Sequence, residues 1–129
     1  MAPTMRMTPQ QVIEHLRLRP LPREGGWFRE TYRSELRHGP RSLHTTIYYL
    51  LTQETTSALH RLPSTEIFHF YQGDPVTMLL LYADGTSCVR TLGHDLAAGE
   101  DVQVVVPAHT WQGALLAPGE EWALMGTTV

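Results

Sequence analysis

The chain has 129 residues, of which 42% are hydrophobic and 18% charged; a chain of this length forms one domain that buries its own core. Ten basic and thirteen acidic side chains leave a net charge of −3, and every basic side chain is arginine. That balance excludes the basic footprint of a nucleic-acid binder. The lone Cys88 excludes an internal disulfide and fits a reducing compartment. The N-terminus has no signal-type apolar stretch and no run approaches transmembrane length, so the expectation is a soluble cytoplasmic protein with no membrane partner.

In chain order, Thr8 is an N-cap candidate, Pro9 suits the first helical position and Gln11 completes a capping-box spacing. The helix is predicted over about residues 8–17, with Val12, Ile13 and Leu16 on its apolar face and Pro20 and Pro22 stopping it. After Gly25-Gly26 the pattern turns to strands. Trp27–Arg33, Leu43–Leu51, Ser57–Arg61, Ile67–Tyr71 and Val76–Tyr82 are followed by Ser87–Leu92, Val102–Val106, Trp111–Leu116 and Trp122–Thr128. Turn residues separate them, as at Gly73-Asp74-Pro75 and Ala117-Pro118-Gly119. Short strands at this spacing predict an all-β sandwich or closed barrel over about residues 27–129, within one domain covering 1–129.

The densest chemistry lies in the run from His60 to Gly73, where His60, Glu66 and His69 sit within ten residues of one another. Strand alternation puts Glu66, Phe68 and Phe70 on one face and Ile67, His69 and Tyr71 on the other. His69 therefore joins Glu66 only if a bulge turns it inward.

These motifs resemble a cupin, the jelly-roll-like double-stranded β-helix. His60 takes the first His place of the first cupin motif, Leu62 stands at the second, and Glu66 is followed, after six intervening residues, by Gly73. In the second motif Gly99 leads, Pro107-Ala108-His109 replaces Pro-x-Gly, and Gln112 stands at the third His place. Glu24-Gly25-Gly26-Trp27-Phe28, Ser64–Pro75, Leu92–Asp95 and Val105–Gln112 together resemble the cupin-5 family, over about residues 8–129. That family carries a fold and a pocket but no assigned reaction.

A more distant similarity is to the dTDP-4-dehydrorhamnose 3,5-epimerases, through Gly25–Glu30 and Pro107–Gly113. It implies His60 as a base. The chain departs from that pattern at Gly25, where those enzymes have an Arg, and near Gly126–Thr128, where they have a Tyr.

Two chemistries are open to these residues. His60 and Glu66 form a catalytic acid–base pair for proton transfer next to a carbonyl, as in an isomerase, epimerase or lyase acting on a sugar or other small polar metabolite. No cofactor is required for that. The alternative is a divalent metal (Zn, Fe, Mn, Co or Ni) held by His60, Glu66 and Gln112, with His69 a distant fourth. A non-catalytic sensor or carrier on the same pocket is the third reading. The substrate-binding candidates are Phe68 and Phe70 beside Glu66, Thr46 and Tyr48 opposite, Arg29 and Glu30 after the Gly-Gly turn, and His109, Trp111 and Gln112 at the rim. The expected partners are a small-molecule ligand and a second copy in a homodimer, with Trp27–Arg33 as the pairing strand.

Overall fold

The structure is a computed structural model describing residues 6–129. Helix α1 spans Pro9–Leu16. Its start is held reciprocally: the Gln11 backbone N–H donates to Thr8 Oγ1 at 3.2 Å, and the Thr8 N–H donates to Gln11 Oε1 at 2.8 Å. It ends at Arg17, which adopts a left-handed φ of 57°.

Strands β1 (Arg19–Pro20), β2 (Trp27–Arg33), β3 (Arg37–His38), β4 (Arg41–Ser42), β5 (Thr45–Thr52) and β6 (Ser57–His60) follow. Then come β7 (Glu66–Gly73), β8 (Val76–Leu81), β9 (Ser87–Leu92), β10 (Gln103–Val106), β11 (Trp111–Leu116) and β12 (Trp122–Thr128). They form a six-stranded sheet in the order β1-β2-β5-β12-β7-β10, a four-stranded sheet β6-β11-β8-β9, and a small hairpin β3-β4. Pairing within the two large sheets is antiparallel.

The two large sheets face each other. Tyr49, Leu51, Phe68, Phe70, Ala123 and Met125 from the larger sheet meet Val76, Met78, Leu80, Ala114 and Leu116 from the smaller in one core. A second cluster lies on the outside of the six-stranded sheet, where Leu50, Trp122 and Leu124 are buried with Val12 and Leu18 of the α1 segment. That outer packing explains why β5 reads as a continuous apolar run: both of its faces are covered. Strand β2 is paired along β5, while β1 covers only Trp27 and Phe28 on its other edge.

Candidate functional site

The sheets part slightly at the end where β5 and β7 begin and β12 ends. There Leu21, Glu24, Ile47, Tyr49, Ser57, His60, Glu66, Phe68 and Thr127 enclose a cavity of about 20 Å³. That is space for one water-sized body.

His60 ends β6 and pairs in register with Gln112 of β11, so both side chains lie on the inner face of the smaller sheet. The His60 Nδ1 lies 2.6 Å from the Ala58 carbonyl oxygen. A carbonyl only accepts, so Nδ1 carries the hydrogen and the neutral ring keeps its lone pair on Nε2. That Nε2 faces Glu24 Oε2 at 3.8 Å. Glu66 opens β7, is 7% exposed, and accepts a hydrogen bond at 2.9 Å from Nε2 of the fully buried Gln112. Burial pushes the Glu66 carboxyl above the usual carboxylate range, against the opposing pull of the Gln112 amide, the Thr127 hydroxyl and His60. Burial likewise pushes the Tyr49 phenol up to about 12, helped by the Glu24 and Glu66 charges and opposed by a hydrogen bond with Ser57. The Tyr49 hydroxyl donates to the Gly25 carbonyl at 2.7 Å.

Glu24 reaches the cavity because of the two glycines after it. Gly25 and Gly26 have φ of 93° and 80°, a conformation natural to glycine. A Cβ on Gly25 would strike the Thr56 carbonyl, and one on Gly26 would lie 2.7 Å from the Tyr49 hydroxyl. The turn is pinned to β6 by the Ala58 N–H, which donates to the Glu24 carbonyl at 2.6 Å. Leu21, Glu24, Ile47, Tyr49, Ser57 and Thr127 are the cavity residues that sequence reasoning did not single out. The signal for Glu24 was the Gly-Gly pair: a turn that tight presents the side chain before it.

The structure brings together His60, Glu66, Phe68 and, behind Glu66, Gln112. It does not bring the other candidates to the cavity. Thr46 and Tyr48 alternate with the cavity-lining Ile47 and Tyr49, so they face outward, and Tyr48 packs on the α1 side of the sheet. Arg29 stands beside them, its guanidinium 5.5 Å from the Tyr48 ring centroid. Glu30 is on the cavity side of β2 but exposed, its carboxylate paired with Arg33 at 2.6 Å. Phe70 lies deeper in the core, edge-on to His94 at 4.7 Å between centroids. Trp111 is on the outer face of the smaller sheet beneath Arg61. His109 is an exposed turn residue with φ 66°, where the cupin motif places glycine, and its N–H donates to the Leu62 carbonyl at 2.8 Å. His69 remains outside, its Nδ1 3.3 Å from Gln103 Nε2 and its Nε2 3.4 Å from Thr128 Oγ1. Strand β7 does carry a bulge, but the register shifts between Phe70 and Gln72, beyond His69 and too late to turn it inward.

Two facing antiparallel sheets enclose a cavity lined by His60 and Glu66 at one end, with Gln112 behind Glu66. The family model Cupin_5, described as the cupin superfamily (DUF985), matches residues 10–129. The chain belongs to that family. It is 31% identical over 127 residues to the uncharacterized protein YML079W of Saccharomyces cerevisiae, covering 87% of this chain and 60% of the yeast protein's length. Among solved structures, protein SO0799 of Shewanella oneidensis is similar with TM-score 0.89 at 33% identity, over 96% of this chain and 78% of that one. A hypothetical protein of Leishmania major matches with TM-score 0.90 at 29% identity, over 95% and 81%. Oxalate decarboxylase of Bacillus subtilis shares the fold, with TM-score 0.61 at 13% identity, over 86% of this chain and 26% of the enzyme.

The oxalate decarboxylase is described with Mn(II) centres. In this chain Glu24, His60 and Glu66 all line the cavity, but among the described residues no group of three or more His, Cys, Asp or Glu side chains is placed to hold a metal ion. Leu62, at the second His place of the motif, has no side-chain donor atom. Gln112 turns its amide N–H toward Glu66, and a protonated amide nitrogen is no ligand.

Proposed function

We propose that the chain is a small-molecule cupin that moves a proton, with His60 as the base and Glu66, whose carboxyl burial shifts upward, as the acid. The observation that carries this reading is the fixed tautomer of His60. Its Nδ1–H is tied to the Ala58 carbonyl, and the free Nε2 is aimed at the cavity and Glu24. An imidazole oriented in this way beside a buried carboxyl has the parts of general acid–base catalysis.

The cavity sets a limit on the substrate. At about 20 Å³ it is far below the ~300–1,000 Å³ of sites that engulf a metabolite. It takes no more than one water-sized group. Two residues from Ile47, Glu66 and Thr127 along the chain, Thr45, Ser64 and Val129 line an open basin of about 320 Å³ with Arg33, Arg41 and Ser42. The body of the substrate rests in that basin while a carbonyl-bearing end meets His60. The substrate class is a small polar metabolite with an exchangeable proton next to a carbonyl, and the reaction class is isomerisation, epimerisation or elimination.

The test uses the ligand that accompanies the purified protein, identified by mass spectrometry. In deuterated water the wild type is expected to introduce deuterium into that ligand, and His60→Asn to slow the exchange by ~10²–10⁴-fold. Binding that persists with no exchange in the wild type would instead identify a sensor or carrier. A stoichiometric metal lost in His60→Ala would overturn the metal-free reading.

A further inference from the structure

The basin beside the His60 cavity holds charge that the proton transfer leaves unused. Two arginines from different elements converge on it. Arg33 ends β2, and its pairing with Thr45 puts it on the same face as Ile47 of the cavity. Arg41 comes from β4 of the small hairpin and donates from Nη1 to Ser64 Oγ at 3.1 Å. That bond clasps the hairpin to the loop between β6 and β7, which is flanked by His60 and Glu66.

The partners of these arginines differ from those elsewhere. Arg6 and Arg90 are held by Asp74 and Asp101. Arg33 spends Nε and Nη2 on Glu30, at 3.3 and 2.6 Å, which leaves the N–H groups of Nη1 to spare. Among the described residues Arg41 donates only to the neutral Ser64 hydroxyl, and no carboxylate forms an ion pair with it. Accepting from Arg41 leaves the Ser64 hydroxyl hydrogen free to donate in turn. Val129 commits its main-chain N–H and carbonyl to Thr45, both at 2.9 Å.

We infer that the basin is a subsite for an oxyanion, the carboxylate or phosphate group at the far end of the substrate. Arg41 grips it, with Arg33 and the Ser64 hydroxyl alongside. The inference rests on the proposed function in one respect, that the body of the substrate lies in this basin. A lone exposed arginine is a solvated side chain; a second guanidinium and a free hydroxyl in the same hollow are what make a site here. A guanidinium fork matches two oxygens of such a group. The basin's volume of about 320 Å³ lies at the small end of the ~300–1,000 Å³ of small-molecule sites. Thr45, Ser64 and Val129 stand two residues from Ile47, Glu66 and Thr127, about 7 Å at the ~3.3 Å rise of a strand. The oxyanion and the reacting carbon are therefore a few bonds apart, as in a short sugar acid or sugar phosphate. Holding one end at Ser64 orients the other against His60 and Glu66 at the two ends of the same loop.

Isothermal titration calorimetry of the full chain with glycerol phosphate, glycerate and glycerol reads the subsite without turnover. At ~20 mM chloride one or both anions are expected to bind at least ~10-fold tighter than glycerol, and the stronger arm identifies the oxyanion. Raising chloride to ~300 mM is expected to weaken the anion and not glycerol. Arg41→Gln is expected to weaken the anion ~10–100-fold, the loss of a charge-assisted contact. Arg33→Gln repeats the test should Arg41→Gln not fold. Arg19→Gln removes the same charge on β1 and is expected to change nothing. Anions that bind no better than glycerol overturn the inference, as does binding that survives both basin substitutions or falls equally in Arg19→Gln. Deuterium exchange into the co-purifying ligand keeps the two readings apart. Anion binding with no exchange overturns the proton transfer and leaves the subsite standing. Exchange whose ligand affinity is unchanged in Arg41→Gln overturns the subsite and leaves the proton transfer standing.

Discussion

On the six-stranded sheet the outward side chains Leu50, Trp122 and Leu124 are buried under the chain's own α1 segment. On the four-stranded sheet the outward Leu79, Val89 and Leu115 stay exposed, and Trp111 is met by Arg61 alone in the aromatic contacts of that face. Both outer faces are apolar, and one supplies its own cover. The difference teaches that apolar patterning alone does not report what is buried in one copy of the chain. It reports what must be covered by something.

The largest effect tests that contrast directly. Leu50 is fully buried under the helix, so Leu50→Ala is expected to cost ~2–5 kcal/mol through lost contacts and the cavity left behind. Leu79→Ala, on the bare face, is expected to cost under ~1 kcal/mol in dilute protein. Guanidinium denaturation at two protein concentrations separates the cases. The Leu50 effect is set within one copy of the chain, whereas the Leu79 effect grows with concentration if a second copy covers that face. Equal losses in dilute solution would erase the distinction between the faces.

The same contrast explains what was legible in the sequence. Alternation in Glu66-Ile67-Phe68-His69-Phe70 puts Glu66 and Phe68 inward and His69 outward, because β7 contributes nothing to the apolar cluster under α1 and its outward His69 breaks the apolar run. In Ile47-Tyr48-Tyr49-Leu50-Leu51 there is no such break. With the helix covering one side and the core the other, period two vanishes, and Thr46 and Tyr48 were placed on the cavity side when Ile47 and Tyr49 hold it. Trp111 was misplaced for the mirror reason, since apolar residues on the uncovered face look like core. Glu24 escaped because its position depends on the backbone angles of Gly25 and Gly26, and residue types alone do not show where such a turn delivers its neighbour. The capping box of Thr8 and Gln11 was legible, being local.

The cover on the six-stranded side is tied down at Asp74. Its carboxylate accepts from Arg6 Nη1 and Nη2 at 2.9 and 2.8 Å and from the Glu121 and Trp122 backbone N–H groups at 2.7 and 3.2 Å. Arg6 also lies 4.8 Å from the Trp122 ring centroid, and Trp122 Nε1–H donates to the Met7 carbonyl at 2.8 Å. The Arg6 guanidinium holds the Asp74 carboxyl well below the usual carboxylate range. A depressed folded value means the contribution is present at neutral pH and lost as pH falls through it. Asp74→Asn is therefore expected to lower stability by ~1–3 kcal/mol at neutral pH, with the gap to wild type closing in strong acid. A gap that stays constant into acid would show that the carboxylate's charge is not what holds the strap.

Glu66 has the opposite sign and the smallest expected effect, and it sits where the two sheets meet. The larger sheet supplies Glu66, Tyr49 and Thr127; the smaller supplies Ser57, His60 and Gln112. Burial raises the folded pKa of Glu66, so its contribution is fully present below the ordinary glutamate range and lost as pH rises through the raised value. Glu66→Gln keeps the shape and has no charge to desolvate. Its stability relative to wild type is expected to rise with pH above the ordinary carboxylate range, measured as melting temperature across ~pH 4–8. A flat difference would mean that the ionised carboxylate is well accommodated, and a carboxylate at ease in its charged form cannot serve as the acid opposite His60. The stability profile thus tests the chemistry without a substrate. A rising difference together with lost deuterium exchange in the same variant would assign the proton donor to the six-stranded sheet and the base to the four-stranded one.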